Sequence, residues 1–205
     1  MSLGSAGEVS IHYLLFPLKK LSTIALVFYF LISLSSCRQS EVAPEAEKKY
    51  FDIPLFFKKE SERLTSERKY LKKVIIKDKI REEKIIQEPE WEQELSAFMQ
   101  IDVNKPAFIN TYRKDTLMLS ENSYEVRYTA IETPLTIPLI SLIFENSSCI
   151  FVSVKKDNSN KLFSSVQELQ YNKETGFFIS GKLDVRYFYK TEYQIESIFY
   201  NDQGK

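Results

Sequence analysis

Leu139-Ile-Ser-Leu-Ile-Phe-Glu-Asn-Ser-Ser-Cys-Ile-Phe-Val-Ser-Val154 is the stretch from which the fold is read. It holds two short apolar runs, Leu139–Glu145 and Cys149–Val154, joined by the turn signal Asn146-Ser147-Ser148. Runs this short and this rich in β-branched and aromatic residues read as strands rather than helices, and a short connection makes them antiparallel neighbours. Leu139–Phe144 and Cys149–Val152 are apolar at consecutive positions, with Ser141 the polar exception. That pattern predicts strands covered on both faces, and Tyr187-Phe188-Tyr189 predicts the same. Working outward, Tyr124, Val126, Tyr128 and Ala130 alternate with polar residues, as a strand with one buried face does. The remaining expected strands are Ala107–Arg113, Ser123–Glu132, Lys161–Tyr171, Phe177–Phe188 and Glu192–Tyr200, with turn signals at Asp157–Asn160 and Asn172–Gly176.

Upstream of this meander the period changes. Phe51–Ser66 reads as a helix, with Asp52 as N-cap, Pro54 in the first turn, and Ile53, Phe57 and Leu64 on one stripe. Glu60 falls on that stripe and interrupts it. Tyr70–Lys77 and Ile80–Gln87 read as a hairpin about the two-residue turn Asp78-Lys79. Pro89 to about Asp102 reads as a second helix, with Trp91, Leu95, Phe98 and Met99 along one face. The expected fold is therefore α+β: two N-terminal helices packed on a curved antiparallel β-meander of about seven to nine strands, an arrangement open to a half-barrel.

The location is read from a different stretch. Lys19 and Lys20 precede Leu21–Ser36, which carries no charge and is mostly apolar. Such a segment suits a signal peptide and falls short of the ~20 apolar residues a spanning helix needs. Leu34-Ser35-Ser36-Cys37 follows directly and resembles the lipobox of bacterial lipoproteins, with Leu34, Ser35 and Ser36 read by the signal peptidase. The resemblance implies that the Cys37 thiol is alkylated with diacylglycerol and becomes the mature N-terminus. The competing reading is a plain transmembrane anchor. The division that follows is 1–36 signal peptide, 37–49 lipidated cysteine and flexible tether, and 50–205 a single α+β domain. Arg38 after the cysteine is no inner-membrane retention residue under the enterobacterial sorting rule. The expected address is thus the outer membrane, facing the periplasm, with the bilayer as one partner through the N-terminal lipid.

Removing the leader changes what chemistry remains. The chain has equal numbers of basic and acidic residues, and losing Lys19, Lys20 and Glu8 leaves a formal charge of −1. No basic cluster stands apart from acidic neighbours, which argues against nucleic acid as a partner. The single histidine, His12, lies in the leader. Histidine-based nucleophile systems and histidine-ligated zinc are thereby excluded from the mature chain. Of two cysteines Cys37 is the lipid acceptor, so Cys149 has no intrachain partner. Gly176, Gly181 and Gly204 cannot build a phosphate loop or dinucleotide fingerprint. No catalytic residue, cofactor or metal site is expected.

Trp91-x-x-Glu94-Leu95-x-x-Phe98, followed by Asp102-x-Asn104-Lys105-Pro106-Ala107, resembles a set of uncharacterised lipoproteins of Bacteroidota-type bacteria. The lipobox, short tether, two-helix start and β-rich remainder are similar too. The resemblance implies no particular activity. Asp102, Asn104 and Lys105 read either as a polar site or as a helix-stop turn capped by its own side chains. Cys149 reads as a buried small hydrophobe rather than a reactive thiol. Glu168 and Asp184 lie on separate expected strands and Glu192 and Glu196 on a third; two of them could converge as an acid–base pair, while carboxylates on strand faces are usually just solvated. The expected function is a non-enzymatic envelope lipoprotein with a binding or assembly role, met by an envelope protein partner or a hydrophobic ligand. The alternatives are a half-barrel carrier or receptor for lipid or another hydrophobe, and a carboxylate-based hydrolase.

Overall fold

Asp52 starts the first element as its composition predicts: Oδ1 accepts the N–H of Leu55 at 3.1 Å and caps α1 (Ile53–Ser66). The computed structural model describes residues 48–132 and 135–201, so the leader with Leu34, Ser35, Ser36 and Cys37 lies outside the described residues. Among those described, no helix is long and apolar enough to cross a membrane.

After α1 come β1 (Tyr70–Lys77) and β2 (Ile80–Ile86), joined by Asp78 and Lys79, both with positive φ. That is the primed turn whose twist matches a two-residue hairpin. Two one-turn helices follow, α2 (Trp91–Glu94) and α3 (Ser96–Met99). Seven strands complete the chain: β3 (Tyr112–Ser120), β4 (Ser123–Ala130), β5 (Leu139–Glu145), β6 (Ser148–Ser159), β7 (Phe163–Asn172), β8 (Gly176–Val185) and β9 (Tyr189–Tyr200).

All nine strands join one antiparallel sheet in the order β2-β1-β9-β8-β7-β6-β5-β4-β3. The sheet is open, with β2 and β3 as its edges. Register divides its two faces. Val126, Leu142, Val152, Tyr171, Phe177, Ser197 and Lys73 pair in sequence across the strands. This row faces the helices: Lys73 reaches Glu94 of α2 at 2.6 Å, and Phe57 of α1 stacks on Phe98 at 4.6 Å while meeting Tyr171 edge-on at 4.9 Å. Trp91 meets Phe199 edge-on at 5.3 Å. Phe57, Leu64, Leu71, Leu95, Phe98 and Tyr171 are fully buried between the layers. Each such side chain contributes about 1.5–3 kcal/mol by leaving water, and each aromatic pair adds about 0.5–1.5 kcal/mol.

Five expectations need correction. The second helix is not one helix over 89–102 but two four-residue turns meeting at Leu95. Glu90 supplies no capping side-chain bond, and burying Trp91, Leu95 and Phe98 holds both turns inward without a continuous helix. The strand expected at Ala107–Arg113 begins only at Tyr112, because Pro106 opens a 3-10 turn through Phe108. Its true continuation, Lys114–Ser120, is exposed on both faces of an edge strand and so lacks the alternation that reveals strands. Next, β6 runs on through the expected turn at Asp157–Ser159; the chain reverses after Asn160, whose Oδ1 accepts the N–H groups of Leu162 and Phe163. Finally, Tyr187-Phe188-Tyr189 is not a doubly covered strand segment but the β8–β9 turn and first residue of β9, all three exposed. In β5, likewise, Ile140 and Leu142 are fully buried while Leu139 and Ile143 on the other face are half-buried.

The other face of the sheet carries no helix. There Glu125 accepts from Ser141 Oγ at 2.7 Å and from Arg127 Nη2 at 2.9 Å. The Ser141 bond, then Arg127, hold its carboxyl below the ordinary value against the opposing pull of burial. A carboxylate lowered on folding stabilises above its unfolded value of about 4.3 and loses that contribution as pH falls through its folded value. Ser141→Ala is expected to raise the Glu125 titration toward the ordinary range and to shrink the stability lost below about pH 4. Carbon-13 NMR of the carboxyl reads this directly, and an unmoved midpoint would remove Ser141 as the cause.

Candidate functional site

The open face is where the sheet presents polar groups with the aliphatic side chains Ile76 and Val166 among them. Lys155, Glu168, Ser180, Gln194 and Ile76 pair side by side across five strands. One step nearer the hairpin tips, Val166, Lys182 and Glu192 form the next row. Apart from Lys155, these two rows line a groove of about 670 Å³ with Asp78 and Lys79 at its edge. Ile76 and Val166 supply the apolar part; Glu192 and Lys182 close the rim with an ion pair at 2.9 Å. That pair is exposed, so it orders the rim more than it stabilises the fold. A second hollow of about 470 Å³ continues along the same face, lined by Phe151, Gln170, Phe178, Glu196 and Ile198 among others. Groove volumes of this size suit a small ligand or one segment of a chain.

Local chemistry holds the groove in shape. Asp78 accepts from the hydroxyl of Thr191 and the N–H of Glu192, each at 3.1 Å, which ties the β1–β2 turn to β9. Gly181 pairs with Tyr193 on the helix-side face, and a Cβ on Gly181 would stand 2.6 Å from the Tyr193 ring. The glycine thus lets that ring lie flat on the sheet behind the groove, where its hydroxyl accepts the Gln167 side-chain amide at 2.5 Å.

Of the four acids singled out in the sequence, the fold puts all on the open face but brings only Glu168 and Glu192 into one groove. Asp184 is ion-paired with Lys190 at 2.6 Å, and Glu196 lines the neighbouring hollow. Among the described residues no group of three or more His, Cys, Asp or Glu is placed to hold a metal. Asp102 Oδ1 accepts the N–H of Asn104, whose amide bonds both the N–H and the carbonyl of Tyr50. That triplet is a self-capped turn clasping the start of the domain. Trp91 is a buried anchor.

No known protein family matches this chain, nor does any curated protein or solved structure.

One constellation escaped the sequence reading. Glu60, the residue that breaks the α1 stripe, is buried and accepts the Tyr171 hydroxyl at 2.5 Å and the Arg63 guanidinium at 2.8 Å. Arg63 also bonds Glu67 at 2.9 Å and the Lys173 carbonyl at 2.8 Å. Burial first, then the neighbouring Glu60 charge, pushes the Tyr171 hydroxyl far above its ordinary range. The signal was present: an acid on an apolar stripe with an arginine three residues on. Its partner across the sheet, Tyr171, was not inferable from spacing.

Cys149 is buried, and burial pushes its thiol up to about 12. Native protein at pH 8 is therefore expected to react with a disulfide reagent at Cys149 at least 100-fold more slowly than unfolded protein, because the thiolate is the nucleophile. Stopped reaction aliquots across a urea gradient check it; labelling well before global unfolding would show a local opening instead.

Proposed function

We propose that this chain is an envelope lipoprotein of the bacterial outer membrane, anchored through Cys37 and facing the periplasm, whose sheet domain binds a ligand or partner without catalysing a reaction. The observation that carries the binding role is the open face. Nine strands expose a groove lined by Ile76 and Val166 among polar side chains, with a salt-bridged rim, on the face opposite the helical layer. The lipobox Leu34-Ser35-Ser36-Cys37 and its place after an uncharged run support the anchoring. The resemblance to lipoproteins of Bacteroidota-type bacteria points the same way.

A hydrophobic cargo is the second reading, and one observation favours it. Val74 is buried on the open face without any helix above it, and Ile76, Phe151, Phe178 and Ile198 extend the apolar floor beyond it. The region between helices and sheet is occupied by the Phe57, Phe98 and Tyr171 rings, so the cargo lies on the opposite face from them.

Both parts are tested on the full chain expressed in a bacterial host. Radioactive palmitate should label the wild type and not Cys37→Ser; equal labelling or none in either would remove the anchoring. Native mass spectrometry of the extracted protein should show a bound molecule that Ser180→Trp displaces by filling the groove. A bound mass that is unchanged by that substitution would place the ligand elsewhere.

A further inference from the structure

The two ends of the sheet differ in chemistry. Register brings three hairpin tips to one end. Asp78 of the first tip bonds Thr191 and Glu192 beside the β8–β9 tip, and the N–H of Arg186 there donates to the Leu162 carbonyl of the β6–β7 tip at 3.0 Å. At this end Leu162, Tyr187 and Phe188 are 74%, 94% and 83% exposed, and Ile80, Ile131 and Tyr189 are exposed as well. Lys79, Lys161 and Arg186 stand among them, with Asp78, Glu132 and the Asp184–Lys190 ion pair beside them and Arg186 over the Tyr187 ring at 5.8 Å. The turns at the opposite end carry Glu121, Glu145 and Glu174 with Lys173, and beside them the α1–β1 turn adds Glu67, Arg68 and Lys69 and the segment after β2 adds Glu88 and Glu90, so acids outnumber cations there. Large apolar side chains on these turn tips are left in solvent among the described residues, and the unpaired cations Lys161 and Arg186 beside them fit a surface that is both negative and apolar beneath.

The point where the domain begins is an independent observation. The Lys49 ammonium bonds the Asn110 side chain, the Tyr50 hydroxyl accepts the N–H of Asn110 at 3.1 Å, and the N–H of Ile131 donates to the Thr111 carbonyl at 2.9 Å. The described chain therefore enters at the same end of the sheet as the aromatic tips. The segment from Cys37 to Lys48 spans at most about 40 Å when fully extended.

We infer that this end of the sheet is a docking surface for an anionic lipid bilayer, with Leu162, Tyr187 and Phe188 entering the headgroup layer and Lys161 and Arg186 meeting lipid phosphates. The inference extends the anchoring proposed above. Tyrosine and phenylalanine settle at membrane interfaces because one side chain there satisfies both an apolar and a wet environment, while lysine and arginine are drawn to anionic leaflets. A lipid on Cys37 holds these tips at high local concentration against the bilayer, so shallow contacts suffice to orient the domain. The open-face groove then stands edge-on to the membrane instead of being pressed against it.

The test reads depth at both ends of the sheet in the full chain, reconstituted into phosphatidylcholine vesicles with and without phosphatidylglycerol. Phe188→Trp and Asn122→Trp report from the two ends, against the constant background of buried Trp91, with brominated lipids as quencher. The expected result is several-fold stronger quenching at position 188 than at 122, reduced by removing phosphatidylglycerol and by adding Arg186→Glu. Equal quenching at both positions, or none at 188 while the protein floats with vesicles, would overturn the docking surface. The mass of the N-terminal peptide reports Cys37 acylation separately. Unmodified Cys37 with selective quenching at 188 would end the anchoring and keep the surface; acylated Cys37 with no selectivity would do the reverse.

Discussion

Gly176→Ala is expected to destabilise the domain by about 4 kcal/mol, at the top of the range for one added methyl group. Two costs act together. Gly176 holds φ at +137°, a conformation that residues with a Cβ avoid. A Cβ built there would stand 1.9 Å from the Ser197 carbonyl oxygen, which is backbone of the paired strand and cannot swing aside. Relief requires β8 and β9 to part where Phe177 and Phe199 close the core under Trp91. Gly181→Ala provides the contrast. Its Cβ meets the end of the Tyr193 side chain, which can rotate away, so about 1–2 kcal/mol is expected. Urea unfolding of both variants measures this, and a melting temperature follows at roughly 2–4 °C per kcal/mol. A Gly176→Ala protein within about 1 kcal/mol of wild type would mean the strand pair yields where the geometry says it is rigid.

Glu60→Ala is expected to cost about 3 kcal/mol, because it strands two partners at once. The Tyr171 hydroxyl is buried and the Arg63 guanidinium half-buried; both lose their shared acceptor under α1. Tyr171→Phe removes one donor and leaves Glu60 paired with Arg63, so about 1–2 kcal/mol is expected. The double variant should cost less than the sum by at least about 1 kcal/mol, since the hydroxyl has no acceptor left to lose. Additive losses would show that Glu60 and Tyr171 act separately. A related consequence concerns specificity. The network bonds α1 to β7 and to the Lys173 carbonyl in the β7–β8 turn, so it sets where along the sheet the helix sits.

Local patterns were legible where one physical requirement dominated. Asp52 and Pro54 mark a helix start in any context, because the first turn needs an acceptor and can spare a donor. Alternation in Tyr124–Ala130 revealed a strand with one face in the core, and Asp78-Lys79 was placed correctly as a two-residue turn. Reading failed where neighbours decided. Lys114–Ser120 is strand only because β4 pairs with it; its own side chains are exposed on both faces and encode no period. Tyr187 and Phe188 look like core from composition, yet the hairpin turns there and leaves them in solvent. Trp91, Leu95 and Phe98 satisfy a helical stripe, but two short turns bury them equally well.

The candidate site divides in the same way. Glu168 and Glu192 were visible as strand carboxylates, whereas Ile76, Ser180, Lys182 and Gln194 carried no mark of their own. They come together because β1, far away in sequence, closes against β9. By itself the sequence determined a β-rich domain and its strand-and-turn alphabet. Those follow from hydrophobic period, turn propensity and composition, all carried by neighbouring residues. Only the tertiary structure decided that the N-terminal hairpin extends the C-terminal edge of the meander, that one face is open and grooved, and that aromatic tips share an end with the start of the domain. These depend on pairing between segments more than a hundred residues apart, such as Tyr70 with Tyr200, and register across such distances leaves no trace in either segment alone.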